Sequence, residues 1–456
     1  MRRIIWATTG LMLAIVPPAS GQSTILASGR ALAVAGVSAP PQAHSGTQAP
    51  AGRRLTLEEA EAEAVQNHPQ VRAGQYGALA AGEAVREIRS MFKPTVFGSL
   101  TGAEAMDGTR IAAGGLNNPT ILDRMAYGVS ATQMLTDFGR TSALASSAAL
   151  RADSLQQDVS ARRADVRLGV DRAYFDGLRA QAVLRVAEQT VAARQVVVDQ
   201  ATALAAAGLK SSLDVSFAKV NLSEAQLLLV QARNEIRAAG ANLADALGSA
   251  EVTTYELTEQ PLPELPAADV STLIAQALQD RPDVARERLA VDSNAKFVQA
   301  ERALWFPTIS FVGAAGMTPY RQVGLNPRYS AMGINISVPL TNGNLFAAKR
   351  AEANFRLSGE QQALRDLQNH ATRDVQVAWL NVQTAHERLD VTAGLLSEAS
   401  DSLELAQQRY QLGLGSIVEL TQAQLNLTRA QLEQLTARYD YQWRTAALRY
   451  QLGQLK

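Results

Sequence analysis

The stretch "AGLKSSLDVSFAKVNLSEAQL", residues 207–227, is answered by "LGLGSIVELTQAQLNLTRAQL", residues 412–432. Gly208 and Leu209 open the first, Gly413 and Leu414 the second, and each glycine suits the left-handed residue that ends a helix. Ser211 followed by Asp214, and Ser416 followed by Glu419, have the spacing of a capping box that starts the next helix. Each stretch therefore predicts the tip of a helical hairpin, and the chain has two of them.

The correspondence extends outward at a constant offset of 205: Ala173 with Ala378, Asn221 with Asn426, Gln226 with Gln431, and Gly248 with Gly453. Nearer the front of each copy the offset becomes 213, where "HPQV" from His68 meets "RPDV" from Arg281 and "FKPTV" from Phe92 meets "WFPTI" from Trp305. The chain is a tandem duplication with a loop of different length in each copy. We expect a first repeat over 54–250, a proline-rich linker over 251–269 and a second repeat over 270–456.

Ahead of the hairpin in the second copy, Val375, Val382, Leu389, Leu396, Leu403 and Tyr410 stand seven apart. Ala378, Ala385, Thr392, Ala399 and Ala406 follow the first five at three residues, so a large seam runs beside a small one. The first copy keeps the register through Val170, Leu184, Val191 and Val198, with Arg194 where the small seam calls for alanine. The pattern predicts a helix from about 345 to 411, roughly 100 Å long at about 1.5 Å per residue. The returning helix of the first copy carries Leu222, Leu229, Ile236 and Leu243. Shorter helices are predicted over 56–66 and 70–92, broken near Pro69.

Strand signals precede each long helix. Pro94 opens "TVFGSLTGAEA", 126–135 reads as a second strand, and 330–340 alternates most clearly. There Met332, Ile334, Ile336, Val338 and Leu340 share one face, with Gly333, Asn335 and Ser337 on the other. Two strands per copy make four, too few to close a barrel without unpaired edges. Either the strands are soluble hairpins or several chains share one barrel, and the long seams, which need neighbouring helices, favour sharing.

Composition bounds the rest. Lys plus Arg and Asp plus Glu both number 43, so no charge excess points to nucleic acid. The absence of cysteine excludes disulfides, thiolate metal sites and a lipid-modified N-terminal cysteine. Arg2 and Arg3 precede an apolar run from Ile4 to Val16, which predicts a signal peptide over 1–21; 22–53 reads as a disordered leader. His370 and Asp374 lack further metal ligands in the pattern and read as a surface pair. No enzyme motif stands out, and no cofactor is expected.

With its duplication, "MLTDFGRT" over 134–141 and "RYQLGLGSIVELTQAQLNL" over 409–427, almost the whole chain after the leader resembles the TolC family of outer-membrane efflux and type I secretion ducts. The resemblance implies a mainly α protein with β-strands: a homotrimer whose chains each give four strands to a twelve-stranded barrel in outer-membrane lipid, continued by a helical tube across the periplasm. It implies a periplasmic adaptor at the tips, fed by an inner-membrane transporter of the RND or ABC type. Docking would fall to Gly208, Leu209, Ser211, Gly413, Leu414 and Ser416, and gating to Asp214, Glu419 and Tyr410. Gly415 stands where some members have an arginine that ties the tips together, and Gln422 where a second acidic ring can lie. Lys210 is our own candidate for the missing cation, expected near Glu419 or Asp214 of a neighbouring hairpin. Asp214 and Glu419 read equally well as capping residues, and Asn221 and Asn426 either fix register or face water. The alternatives in function are a periplasmic adaptor and a structural coiled coil.

Overall fold

In the computed structural model the described residues are 53–103, 110–113, 116–120, 124–251, 253, 255–266, 269–320 and 326–455. The expected signal peptide and all but the last residue of the expected leader lie outside them. That last residue, Arg53, opens a strand.

The element order runs twice. In the first copy β1 (Arg53–Leu55), α1 (Leu57–Asn67) and α2 (Pro69–Ser90) lead to β2 (Thr95–Ala103), a short hairpin of β3 (Arg110–Ala113) and β4 (Leu116–Thr120), and β5 (Arg124–Thr136). Then come α3 (Arg140–Ala206) and α4 (Ser212–Ala246). The second copy gives β6 (Tyr255–Leu257), α5 (Val270–Asp280), α6 (Pro282–Arg302), β7 (Thr308–Tyr320), β8 (Arg328–Ser337), α7 (Leu345–Gln411) and α8 (Ile417–Gln451). Both outgoing helices have 67 residues and both returning helices 35.

Two departures from expectation have plain causes. β8 ends at Ser337, short of 340, because Pro339 cannot donate to a sheet ladder. The expected linker is not wholly irregular: β6 lies within 251–269 and pairs in parallel with β1, Leu55 opposite Leu257. Tyr174 of α3, wholly buried, pins this pair; its hydroxyl lies 2.9 Å from the Leu55 carbonyl and 2.8 Å from that of Thr258, and accepts from the Thr258 amide.

The long helices pack along their small residues. α7 buries Val375, Val382, Ala385, Thr392, Ala399, Ala406 and Tyr410, while Leu389, Leu396 and Leu403 are half-buried. In α4 the most enclosed seam is Ala218, Ala225, Ala232 and Ala239, seven apart, beside half-buried Leu222, Leu229 and Ile236. Small side chains at the contact permit close interaxial approach. Asn221 lies inside this packing and donates to Thr421 of α8 at 3.2 Å, whereas Asn426 is exposed and accepts from Gln422.

The junction between sheet and helix has a geometric role within this chain. Asp137, buried, accepts from the amides of Gly139 and Thr141 and from the Thr141 hydroxyl at 2.6 Å, capping α3 as the backbone passes through positive φ at Phe138 and Gly139. In the second copy Gly343 and Asn344 make the same left-handed passage into α7.

Candidate functional site

The hairpin tips have the predicted turn. Gly208 and Gly413 both sit at φ +74°. The amide of Leu209 reaches the Leu204 carbonyl at 2.9 Å, and that of Leu414 the Arg409 carbonyl at 2.8 Å, closing the Schellman pattern that satisfies the last turn of α3 and of α7. Ser211 then accepts from the Leu213 amide and Ser416 from the Glu419 amide. Both serines are true N-caps, but neither acid completes a capping box. Leu209 and Leu414 are each 70% exposed, so both turns end on an uncovered apolar side chain.

Glu419 is instead bound to Arg409, Nε to carboxylate at 3.0 Å, across the turn of its own hairpin. Sequence reasoning missed Arg409 because the capping spacing already accounted for Glu419. Lys210 forms no ion pair with Asp214 or Glu419 within the chain; its ammonium stands 4.7 Å from the centre of the Tyr410 ring. Tyr410 is 3% exposed, its hydroxyl has no hydrogen-bond partner among the described residues, and burial, aided by the Asp214 carboxylate, pushes its phenol above the ordinary tyrosine range. A side chain at Gly415 would press at 3.1 Å on the Tyr410 amide and at 3.2 Å on Arg409 Cβ. The cation that faces this tip therefore comes from neighbouring positions. His370 reaches Asp366 at 3.8 Å rather than Asp374, which is bound by Arg373, and no metal-binding cluster occurs among the described residues.

At the other end, β2, β5, β7 and β8 form one antiparallel sheet in that order, leaving β2 and β8 as its edges. Register sets Ile336 opposite Ile309, Ile334 opposite Phe311, Val129 opposite Ala315 and Leu100 opposite Tyr127. Because opposed residues share a face, Val96, Leu100, Tyr127, Val129, Phe311, Met332, Ile334 and Ile336 make one apolar surface, all of it exposed. Ser99, Ser130, Ser310 and Asn335 lie on the other. Where the sheet meets the helices, Phe138 stacks near Phe306 at 5.7 Å and Trp305 meets Phe346 edge-on at 5.7 Å. No described helix is long and apolar enough to cross a membrane.

A sheet with one bare apolar face, rooted on two long duplicated hairpins, coincides with a match to the family model described as outer membrane efflux protein, over residues 62–249 and 273–454. The chain belongs to that family. It is 22% identical over 412 residues to the outer membrane protein TolC of Escherichia coli, covering 85% of this chain and 80% of TolC. It is 26% identical over 406 residues to the protein CyaE of Bordetella pertussis, covering 86% and 82%. Among solved structures, the MtrE outer membrane channel of Neisseria gonorrhoeae superposes with a TM-score of 0.75 at 19% identity, over 88% of this chain and 89% of that one. The protein is thus a TolC-family outer-membrane efflux channel, and its place is the outer membrane. These likenesses give no support to the adaptor alternative.

Proposed function

We propose that three copies of this TolC-family chain assemble into one duct, each supplying four strands to a twelve-stranded barrel whose apolar face meets lipid and each continuing inward as two helical hairpins. The observation that supports this reading is the four-stranded sheet, open at β2 and β8 and bare on one face, at the root of helices of 67 residues. Open edges in hydrocarbon are intolerable, and closure by copies of the same chain removes them. The aromatic residues at the sheet's base, Trp305 and Phe306 among them, suit the inner boundary of the membrane. We read 54–250 and 270–456 as the two structural repeats, with 251–269 joining them and 1–21 removed on export.

The exposed tips, from Gly208 to Ser211 and from Gly413 to Ser416, are the surface we assign to a periplasmic adaptor protein coupled to an RND or ABC transporter. The match to the family model described as outer membrane efflux protein makes an efflux role the natural reading, and type I secretion follows from the resemblance to the TolC family of efflux and secretion ducts. Gating is assigned to Lys210 on Tyr410, with Asp214 beside it, and to Arg409 on Glu419. The chain is read as a conduit without catalytic chemistry, as members of its family are channels.

Cross-linking of envelopes followed by separation of inner and outer membranes tests the assembly. A trimer in the outer-membrane fraction is expected. A species that stops at monomer or dimer, or that fractionates with soluble periplasmic markers, would sink the proposal.

A further inference from the structure

Just behind the tips, a cavity of about 410 Å³ lies between α3, α7 and α8, walled by Val197, Leu403 and Leu427 on its apolar side and by Gln189, Gln407 and Gln424 on its polar side. Arg194 of α3 lines it. This arginine is 4% exposed, makes no hydrogen bond or ion pair among the described residues, and leaves Nη1 without a partner. Burial lowers its pKa from the ordinary arginine value, and Glu224 of α4 opposes this only through space. Tyr410 lines the same cavity with its hydroxyl also unpartnered. In the other copy the equivalent position is Ala399, so the hairpin geometry does not require a long cation here.

An enclosed guanidinium with no carboxylate is costly unless an anion completes it, and its planar fork matches a carboxylate in two parallel bonds. Glutamine amides and a phenol can add donors; the leucine and valine wall suits hydrocarbon. We propose that this cavity binds a small organic carboxylate with a compact apolar body, its head held by Arg194 turned into the cavity and by Tyr410, its body against Leu403 and Leu427. The site does not depend on the gate assignment, although it shares Tyr410 with the tip.

The test uses the full chain in detergent micelles, with 4-fluorobenzoate as probe, its neutral isostere 4-fluorobenzamide as comparison and empty micelles as background, read by fluorine NMR. Saturable binding of the carboxylate is expected, at least about tenfold tighter than the amide. Arg194→Met should remove that preference, and Leu427→Trp, which fills the cavity but leaves the cation, should block both probes. Equal binding of the two probes, no saturable binding, or an undiminished carboxylate preference in Leu427→Trp each overturns the proposal. The no-binding result is also the one expected if a carboxylate from a neighbouring copy fills the site. The preference of the unaltered chain decides the matter even if Arg194→Met fails to fold.

Discussion

The ammonium of Lys210 lies 4.7 Å from the centre of the Tyr410 ring, and this contact joins the end of the first hairpin to the end of the second. A cation over an aromatic face at a partly exposed site is worth about 0.5–1 kcal/mol. Three such contacts around a trimer would together bias a two-state gate by more than the roughly 1.4 kcal/mol that shifts an equilibrium tenfold. Lys210→Glu is therefore expected to raise single-channel conductance in planar bilayers. Tyr410→Phe, which keeps the ring, should stay near the unaltered value, and Tyr410→Leu should behave like Lys210→Glu. Equal conductance in all four proteins would show that the contact does not hold the tips.

The Arg409 to Glu419 pair is about half exposed on both sides, so its contribution is about 0–1 kcal/mol. Glu419→Gln should leave the melting temperature almost unmoved, and any change in conductance should fade as salt is raised. A large loss of stability would mean that Glu419 does more than bind Arg409.

Asp171 of α3 is 2% exposed, and burial first, then the nearby Glu61 carboxylate, raises its pKa to about 8. Arg167, 3.7 Å from Glu61, and Arg449 only partly offset this. A carboxyl whose folded pKa exceeds its unfolded value gives its full stability below about pH 4, and that stability is lost as pH rises toward about pH 8. Asp171→Asn should accordingly melt higher than the parent at alkaline pH, with the advantage shrinking as pH falls to about 4. Thermal melts across that range check the sign; an advantage that grows on acidification would contradict the assignment.

Gly453 ends α8 at φ +71°, and a Cβ there would sit 2.8 Å from the backbone of Asp280 and Arg281, where nothing flexible can yield. Gly413 has nearly the same φ but open space around it. Left-handed backbone alone costs a non-glycine residue about 1–2 kcal/mol. Gly453→Ala should therefore destabilise the fold clearly more than Gly413→Ala in denaturant titrations, and equal losses would refute the collision.

Tyr174→Phe removes the hydroxyl that holds Leu55 and Thr258. The Leu55 carbonyl keeps the Thr258 amide at 3.2 Å and Thr258 is exposed, so the loss is that of an ordinary hydrogen bond, about 0.5–1.5 kcal/mol. Limited proteolysis should cut the segment after β6 faster in the variant, with the helices intact; an unchanged cleavage rate would mean that the β1–β6 pair holds without Tyr174.

How much of this was legible in the sequence depended on repetition. The seven-residue spacing from Val375 to Tyr410 marked the body of α7, and Gly343 and Gly413 marked its ends. The four strands of the main sheet followed from the duplication more than from their own alternation, which is weak where Gly98, Gly102 and Gly128 interrupt it. β3, β4 and β6 were not legible: runs of three to five residues are too short to carry a period. At the tips the turn was readable from Gly and Ser, but the partners of Lys210 and Glu419 were not. An aromatic face and a cation seven residues before the turn's serine leave no spacing rule behind them.

The parallel pairing of β1 with β6 places the linker that leads into the second repeat beside the strand that leads into the first. A single repeat carries two strands and one hairpin, so six unfused copies would build the same proposed ring that three fused chains build. Fusion relaxes the demand that all six positions be alike. Arg194 facing a cavity while Ala399 packs a seam is a difference that a sixfold assembly of one short gene product could never have held.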